Sequence, residues 1–228
     1  PQNGSGIING MSRNQETDNP ALVFFALIGN DVCNGHPGTS HMTPPAEFYS
    51  AVVASLDYLD TKLPAGSSVV IIGLVDGRIL WDIMHDQIHP IGVKYADLYD
   101  YLGCMGKNPC HGWLTSNATL RNITTEWANS LNDQYTKIVA TKTYKNFKMY
   151  FNNPDWRGFI NKYVQAGGIA KELIEPVDGF HPSQSGNMLL AMNVWNYVME
   201  NDVSILGDVN PNNAAIHAKF GDQGGYIN

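Results

Sequence analysis

Two apolar segments do most to limit the folds open to this chain. The first covers residues 21–28 without interruption and ends at Gly29-Asn30-Asp31, and the second covers residues 67–74, in which two serines precede an apolar stretch. Between residues 43 and 63, apolar side chains recur at three- and four-residue steps, which predicts an amphipathic helix. Strands that are apolar along their whole length are typical of a parallel sheet that is covered on both faces. These segments therefore predict a strand–helix–strand unit with a right-handed crossover.

The alternation of strands and helices continues further along the chain. A long excursion runs from residue 75 to about 146 and contains one predicted helix, after which residues 147–151 predict a third strand. A short helix is predicted over residues 154–165. A terminal helix follows residue 183, and its apolar stripe consists of Met188, Met192, Trp195 and Met199.

These elements predict one α/β domain with three α/β/α layers and a parallel sheet. We assign residues 21–206 to this domain, residues 1–20 to a linker or processed end, and residues 207–228 to an irregular tail. Three strands alone cover a fully apolar strand poorly on both sides. We therefore expect the first strands of the sheet to lie in a segment that precedes this chain.

Composition and charge exclude several classes of protein. The 228 residues include 14 basic and 21 acidic side chains, which gives a formal net charge of -7. Because Lys and Arg form no cluster, this balance does not favour a nucleic acid as a partner. No apolar run reaches about 18 residues, so the sequence predicts no transmembrane helix.

The three cysteines are typical of a protein from an oxidising compartment. Cys104 and Cys110 bracket a pentapeptide with glycine and proline, and this spacing can close a small disulfide loop. Cys33 is then left over, and we interpret it as the partner of a cysteine in a segment that precedes this chain. A buried free thiol at Cys33 is the alternative.

Three N-x-Ser/Thr sequons begin at Asn3, Asn117 and Asn122. Two of them are almost adjacent, which suits a surface loop of a secretory protein. Together with the cysteines, the sequons predict a secreted glycoprotein.

The first candidate catalytic motif is Gly29-Asn30-Asp31, which follows a predicted buried strand. Open α/β sheets hold their ligands beyond the carboxyl ends of their strands, so the position suits a functional residue. The Asn30 amide can donate to a developing oxyanion, and Gly29 lets the backbone approach closely. A plain turn between a strand and a helix is the alternative.

The second motif places Asp178 three residues before His181 on a predicted turn. The Asp178 carboxylate can accept the Nδ1 proton of His181, fix one tautomer and leave Nε2 as a general base. A helix-capping aspartate beside an incidental histidine is the alternative. The presence of both motifs in one chain favours catalysis.

Two other functions stay open at this point. One is a metal-dependent hydrolase whose ligands would be drawn from Asp31, Asp76, Asp178, His181, His85 and His89. The other is a lipid-binding or structural module that keeps the fold without a serine. For a lipid ligand, the tryptophans Trp81, Trp113 and Trp156 are candidates for the wall of an acyl groove.

The two motifs resemble the third and fifth sequence blocks of the SGNH/GDSL hydrolases. Longer stretches resemble, within that family, the acyloxyacyl hydrolases, and they cover residues 28–34, 80–90, 104–113, 173–182 and 220–225. The resemblance as a whole runs from about residue 12 to residue 225. Blocks of this length are far more specific than the two hydrolase motifs alone.

The resemblance implies a flavodoxin-like SGNH fold and a secreted or endolysosomal lipase. Such an enzyme removes secondary fatty acyl chains from lipid A of bacterial lipopolysaccharide or from related lipids. By position, His181 is the base, Asp178 its partner and Asn30 an oxyanion donor, while Asp31 braces the turn with Gly29. The resemblance also implies a saposin-like small subunit as a partner, no cofactor on this chain, and calcium only on a preceding part.

The chain departs from the family pattern at the nucleophilic serine. The chain has no Gly-Asp-Ser block and no Gly-x-Ser-x-Gly elbow. We therefore expect it to be the carboxyl-terminal part of a catalytic subunit. The nucleophilic serine would come from a preceding segment or chain, linked by a disulfide to Cys33, and acyl transfer would proceed by a Ser-His-Asp mechanism.

Overall fold

The computed structural model describes residues 14–221 and contains a three-stranded parallel sheet. Its strands are β1 (Leu22–Phe25), β2 (Ser67–Ile72) and β3 (Phe147–Asn152), in the spatial order β1-β2-β3. Both outer strands pair with β2 in parallel register. The three predicted strands and the predicted parallel sheet are confirmed.

Helices connect and flank the strands. In chain order they are α1 (Gly29–Val32), α2 (Pro45–Asp60), α3 (Arg78–Met84), α4 (Tyr95–Cys104), α5 (Ala118–Thr141), α6 (Trp156–Gln165), α7 (Gln184–Asn201) and α8 (Asn213–Phe220). Two 3-10 turns, Ala170–Leu173 and Val203–Leu206, lie before and after α7. The predicted helices correspond to α2, α5, α6 and α7, while the predicted excursion also contains α3 and α4.

One face of the sheet carries the main hydrophobic core. Helices α2 and α5 pack against each other and against this face. Their apolar residues fall on one side of each helix because they are spaced by three or four positions. The side chains buried there include Phe48, Leu56, Val69, Ile71, Leu131, Tyr135 and Ile138.

Helix α7 covers the other face beside β3, which completes the three-layer arrangement. The Tyr150 hydroxyl of β3 donates to Asp202 at 2.6 Å, directly after this helix. The apolar stripe predicted for α7 is present, but its four side chains are exposed. Phe24 points to the same face because its neighbours Val23 and Phe25 belong to the core on the opposite side.

Within the described residues β1 is an outer strand of the sheet, and Phe24 on its uncovered face is 50% exposed, so this part of the chain does not cover β1 on both faces. The prediction for the tail is wrong. The tail after residue 206 was predicted to be irregular, yet it contains α8, which its run of alanine and other helix-forming residues supports. Within residues 14–221, no helix combines the length and apolar character needed to cross a membrane.

The disulfide joins Cys33 to Cys110, which corrects the predicted pair Cys104–Cys110 and the predicted link from Cys33 to another segment. Asn108 explains the pairing, because its Oδ1 accepts the Cys110 amide at 2.8 Å and turns this residue inward. The His111 amide also donates to the carbonyl of Asn34 at 3.0 Å, which brings the two segments together. Cys104 is exposed at the end of α4 and is the free cysteine among the described residues.

Candidate active site

Residues 174–183 form a closed loop just before α7, which we call the dyad loop. Ile174 and Pro182 form an antiparallel bridge across its base. At its tip, Gly179 has a φ of 62°, in the left-handed region that favours glycine, and its amide donates to the carbonyl of Glu175 at 2.8 Å. The backbone of the loop is therefore closed on itself before its side chains add further contacts.

Asp178 and His181 of the dyad loop are in direct contact, as their spacing predicts. Nδ1 of His181 lies 2.7 Å from Oδ2 of Asp178. Oδ1 of Asp178 accepts the backbone N–H groups of Phe180 at 2.8 Å and of His181 at 3.0 Å. Partial burial acts to raise the pKa of Asp178, but these hydrogen bonds outweigh it and hold the pKa below its ordinary value. The carboxylate is thus charged and oriented, and the Nε2 atom of His181 is left for a reacting group.

Asn30 lies in α1, the single helical turn that follows β1. Its side chain is exposed and makes no hydrogen bond with the described part of the chain. Asn30 and His181 line the same cavity, so the two predicted site residues from distant parts of the sequence are brought together. The free amide is available as a donor on a wall that it shares with the dyad loop.

The neighbours of Asn30 shape the turn mainly through their backbones. The carbonyl of Asp31 accepts the Thr43 amide at 2.8 Å, which fastens the turn to the start of the following helix. This contact supports the bracing role predicted for Asp31. A Cβ added at Gly29 would meet no atom within 4 Å, so the described residues give no steric reason for a glycine there.

The cavity has a volume of about 520 Å³ and is mainly apolar. Its walls come from α3, α6, α7 and the dyad loop, and include Ile79, Leu80, Ile83, Trp156, Phe159, Ile160, Leu189 and Leu190. Of the three tryptophans proposed as wall residues, Trp113 and Trp156 line the cavity. Trp81 does not, because it stacks on His85 with 5.3 Å between ring centroids.

Most aliphatic wall residues were not identified from the sequence. On α6, Trp156, Phe159 and Ile160 share one side at helical spacing, which normally indicates packing onto a core. None of the residues of this helix is buried. Its apolar side faces the cavity instead, and the amphipathic pattern in the sequence does not distinguish such a wall from packing onto a core.

No serine lines the cavity among residues 14–221. Ser183, the serine closest in sequence to the base, has its hydroxyl occupied elsewhere. Its Oγ donates to the carbonyl of Glu172 at 2.5 Å and accepts the Gly186 amide at 3.2 Å as the cap of α7. Ser183 is therefore a structural residue.

The residues considered for a metal site take other partners. Asp76 accepts hydrogen bonds from Arg78 and from Thr125, and Nδ1 of His85 lies 2.7 Å from the carbonyl of Trp81. In the part of the chain from 14 to 221, no group of three His, Cys, Asp or Glu side chains is arranged to hold a metal ion.

Two of the three predicted glycosylation sites lie at the start of α5. Asn117 is the exposed N-cap, where its Oδ1 accepts the Leu120 amide at 3.1 Å. Asn122 is exposed one turn later, and its Oδ1 accepts from Arg78 at 3.0 Å. In both residues the oxygen is engaged and the amide nitrogen, to which a glycan would be attached, is left available. Asn3 lies outside the described residues.

Comparison with known proteins gives consistent matches. A family model described as GDSL-like Lipase/Acylhydrolase matches residues 2–194. Acyloxyacyl hydrolase from Mus musculus is 42% identical over 99% of this chain and 40% of its own length. The protein of the same name from Oryctolagus cuniculus is 41% identical over 99% of this chain and 40% of its own length, and that from Homo sapiens is 42% identical over 96% and 39%. The predicted resemblance is confirmed, and the chain spans about two fifths of the length of these relatives.

Proposed function

The chain belongs to the GDSL-like lipase/acylhydrolase family, and on this premise we propose that it supplies the base, the oxyanion donor and the acyl-chain cavity of a lipid acyl-ester hydrolase. One observation carries the proposal. The His181 ring, held by Asp178 at 2.7 Å, and the Asn30 amide, which has no hydrogen-bond partner among residues 14–221, line one mainly apolar cavity. An Asp–His pair beside a mainly apolar pocket suits an ester at the end of a long aliphatic chain.

The reaction is serine acyl transfer, with the serine supplied by a segment that precedes this chain. As the serine oxygen attacks the ester carbonyl carbon, its proton passes to Nε2 of His181, and Asp178 stabilises the resulting imidazolium. Asn30 donates to the oxyanion, a type of contact that contributes about 3 kcal/mol to the transition state in related chemistry. Collapse of the intermediate breaks the bond to the leaving alcohol, which takes the proton from His181. Water, which gives its proton to the same base, then attacks the acyl carbon. The bond to the serine oxygen breaks, the serine takes the proton from His181, and the fatty acid is released.

The cavity is the site for the acyl chain of the substrate. Its volume of about 520 Å³ lies within the range of roughly 300–1,000 Å³ that small-molecule sites occupy. Each methylene that leaves water contributes about 0.8 kcal/mol, so a long chain binds without a polar contact. We propose a secondary acyl chain, as in lipid A or related lipids, because the relatives are acyloxyacyl hydrolases.

We assign the uncovered face of the sheet to the preceding, serine-bearing segment. Phe24 and Leu27 are exposed at β1, and the stripe of α7 is exposed on the same side of the sheet. An apolar surface of this kind needs a partner, and the relatives have a further three fifths of their length to supply one. Because Cys33 is paired within this chain, the exposed Cys104 takes its place as the candidate for a disulfide to that segment or to a saposin-like subunit.

The remaining features support the proposal that this hydrolase belongs to the secretory pathway. The internal disulfide and the exposed sequons at Asn117 and Asn122 suit a secreted or endolysosomal glycoprotein. We propose that acyl transfer needs no cofactor on this chain and that any calcium the full-length protein binds is held by the preceding segment.

The test uses the full-length natural protein. One sample is labelled with a fluorophosphonate, and a separate, unlabelled sample is assayed on p-nitrophenyl octanoate. His181→Ala should lower kcat at least about a hundredfold, and His217→Ala, an exposed histidine of α8, should not. Peptide mapping should find the label on a serine outside this chain. An unchanged kcat in His181→Ala would show that the proposed mechanism is wrong.

A second candidate function is lipid binding without hydrolysis. The observation that favours it is the lack of a serine among the described cavity residues. In that case the full-length protein would bind the acyl chain of a fluorescent fatty acid, take up no fluorophosphonate and release no nitrophenol.

A further inference from the structure

Three buried side chains from the excursion between β2 and β3 hold the backbone of the dyad loop. Each donates a hydrogen bond to a loop carbonyl, and the three carbonyls lie on both sides of Asp178. The bonds are Tyr95 Oη to Pro176 O at 2.5 Å, His89 Nε2 to Val177 O at 2.8 Å, and Tyr99 Oη to Gly179 O at 2.6 Å. We call His89, Tyr95 and Tyr99 the loop clamp.

The hydrogen bonds of His89 fix its tautomer. Its Nδ1 accepts the backbone amide of Ile91 at 3.2 Å. Because a backbone N–H can only donate, the ring proton is assigned to Nε2, which donates it to Val177. Both ring nitrogens of this buried histidine are therefore used, and one of them is used on the dyad loop.

The clamp is packed tightly as well as hydrogen-bonded. The rings of His89 and Tyr95 are 5.1 Å apart and those of Tyr95 and Tyr99 are 5.8 Å apart, in tilted or edge-on arrangements. A Cβ at Gly179 would come within 2.4 Å of the Tyr99 hydroxyl and 2.7 Å of the Tyr95 ring. The tip of the dyad loop thus lies directly on the two rings.

Both hydroxyl groups of the clamp are kept in the form that donates. Burial raises the pKa of Tyr95 and Tyr99, and the nearby Asp178 carboxylate adds to the effect. The two tyrosines therefore stay protonated throughout the range in which a histidine base works.

The clamp also connects the dyad loop to the Asn30 turn. Nδ2 of Asn108 donates to the carbonyl of Tyr99 at 2.9 Å, and Oδ1 of Asn108 accepts the amide of Cys110. Cys110 is bonded to Cys33, the residue that ends the helical turn of Asn30. The oxyanion donor and the base are therefore joined through one disulfide and a short series of buried hydrogen bonds.

We propose that His89, Tyr95 and Tyr99 are positioning residues for the Asp178–His181 pair. This inference rests on the proposed hydrolase function. The clamp fixes the backbone on both sides of Asp178, so its carboxylate keeps the 2.7 Å contact with Nδ1 of His181. The three clamp bonds go to the carbonyls of Pro176, Val177 and Gly179, so the clamp acts on the reaction through Asp178.

The experiment compares two Tyr→Phe variants of the same helix in the full-length protein. Tyr99→Phe removes one loop hydrogen bond and keeps the ring. Tyr101→Phe makes the same change at an exposed position of α4 and is the matched control. Both are assayed with p-nitrophenyl octanoate, and kcat is normalised to the fraction of enzyme that fluorophosphonate labels.

We expect Tyr99→Phe to lower kcat roughly five- to twentyfold with little change in KM, the effect of losing one buried hydrogen bond in the transition state. The acid limb of its kcat/KM profile should move to lower pH, because a less well aligned Asp178 stabilises the imidazolium less. Tyr95→Phe should act in the same direction. Tyr101→Phe should match the wild type in both readouts.

The background variant Asp178→Asn separates positioning from general destabilisation. If the clamp acts through Asp178, adding Tyr99→Phe to Asp178→Asn should change kcat less than twofold. A full and independent loss in the double variant, or a normal kcat and acid limb in Tyr99→Phe, would overturn the inference. Full activity in Asp178→Asn and in His181→Ala would instead refute the hydrolase function on which the inference rests.

Discussion

Nδ2 of Asn152 donates a hydrogen bond to Oδ1 of Asn193 at 2.9 Å, and both side chains are buried. The bond joins the carboxyl end of β3 to the middle of α7. Two residues near the start of this helix, Leu189 and Leu190, line the cavity. A buried amide that loses its partner carries the full cost of its desolvation. This pair therefore fixes one wall of the cavity as well as the packing of α7.

We expect Asn193→Ala to lower the free energy of unfolding by about 1–3 kcal/mol, because Asn152 is left without its acceptor. The measurement is urea unfolding followed by circular dichroism. Asn196→Ala makes the same change at an exposed position of α7 and should alter stability by less than about 0.5 kcal/mol. Equal effects in the two variants would mean that the buried bond contributes nothing.

Removal of the disulfide should be costly because it closes a long loop. Cys33 and Cys110 are separated by 77 residues, for which the chain-entropy estimate is about 4.5 kcal/mol. In thermal or urea unfolding of this chain by itself, the double variant Cys33→Ser/Cys110→Ser should lose most of this, whereas Cys104→Ser should not. Thiol titration of the unfolded, unreduced chain would count the cysteines outside disulfides. If Cys104→Ser is the destabilising change, this result would favour the pair Cys104–Cys110 that the sequence predicts over the pair Cys33–Cys110.

Acid stability depends on Asp76 as well as on the dyad. Burial acts to raise the pKa of Asp76, but hydrogen bonds from Arg78 and Thr125 outweigh it and lower the pKa. A carboxyl group whose pKa is lower in the folded state stabilises the fold at pH values above its ordinary, unfolded-state pKa of about 3.9. This contribution is lost as the pH falls through the lower, folded-state value.

We therefore expect Asp76→Asn to be less stable than the wild type at pH 6, with the difference shrinking below about pH 4. Arg78→Gln should show the same trend, since it removes the charged partner of Asp76. Urea unfolding at pH 6 and pH 3 measures the differences. A gap between Asp76→Asn and wild type that stays constant over this range would contradict the linkage.

The strands and the dyad could be predicted from the sequence because their signals are local. Apolar runs mark β1 and most of β2, and the contact between Asp178 and His181 spans only three residues on a turn. The place of Asn30 at the site follows from the rule that open α/β sheets bind ligands beyond the carboxyl ends of their strands, whereas His181 lies in a loop well after β3, and its approach to Asn30 depends on tertiary packing.

The disulfide and the loop clamp depend instead on contacts between distant segments. The spacing of Cys104 and Cys110 permits a loop, but the buried Asn108 between them directs Cys110 toward Cys33. Likewise, nothing near Tyr99 in the sequence indicates a bond to a carbonyl 80 residues away. The cavity walls were missed for a related reason, since an apolar helix side does not reveal whether it faces a core or an open space.

The length of the bound acyl chain should respond to filling of the cavity. Ile160 lines it from α6, and Ile160→Trp adds bulk to that wall while Asn30 and His181 stay unchanged. We expect kcat/KM for p-nitrophenyl butyrate to be nearly unchanged, because a short chain leaves most of the cavity empty. For longer p-nitrophenyl esters, the normal gain of about fourfold for each added methylene should stop at a shorter chain.

Ile169→Trp is the matched control for this change, because Ile169 is exposed and does not line the cavity. In Ile169→Trp, kcat/KM should depend on the acyl-chain length of the ester as it does in the wild type, from butyrate to dodecanoate. A uniform loss on all esters in Ile160→Trp would indicate damage to the fold and not a shorter cavity. An unchanged preference for long chains would show that the acyl group binds elsewhere, and the cavity beside Asn30 and His181 would then need another ligand.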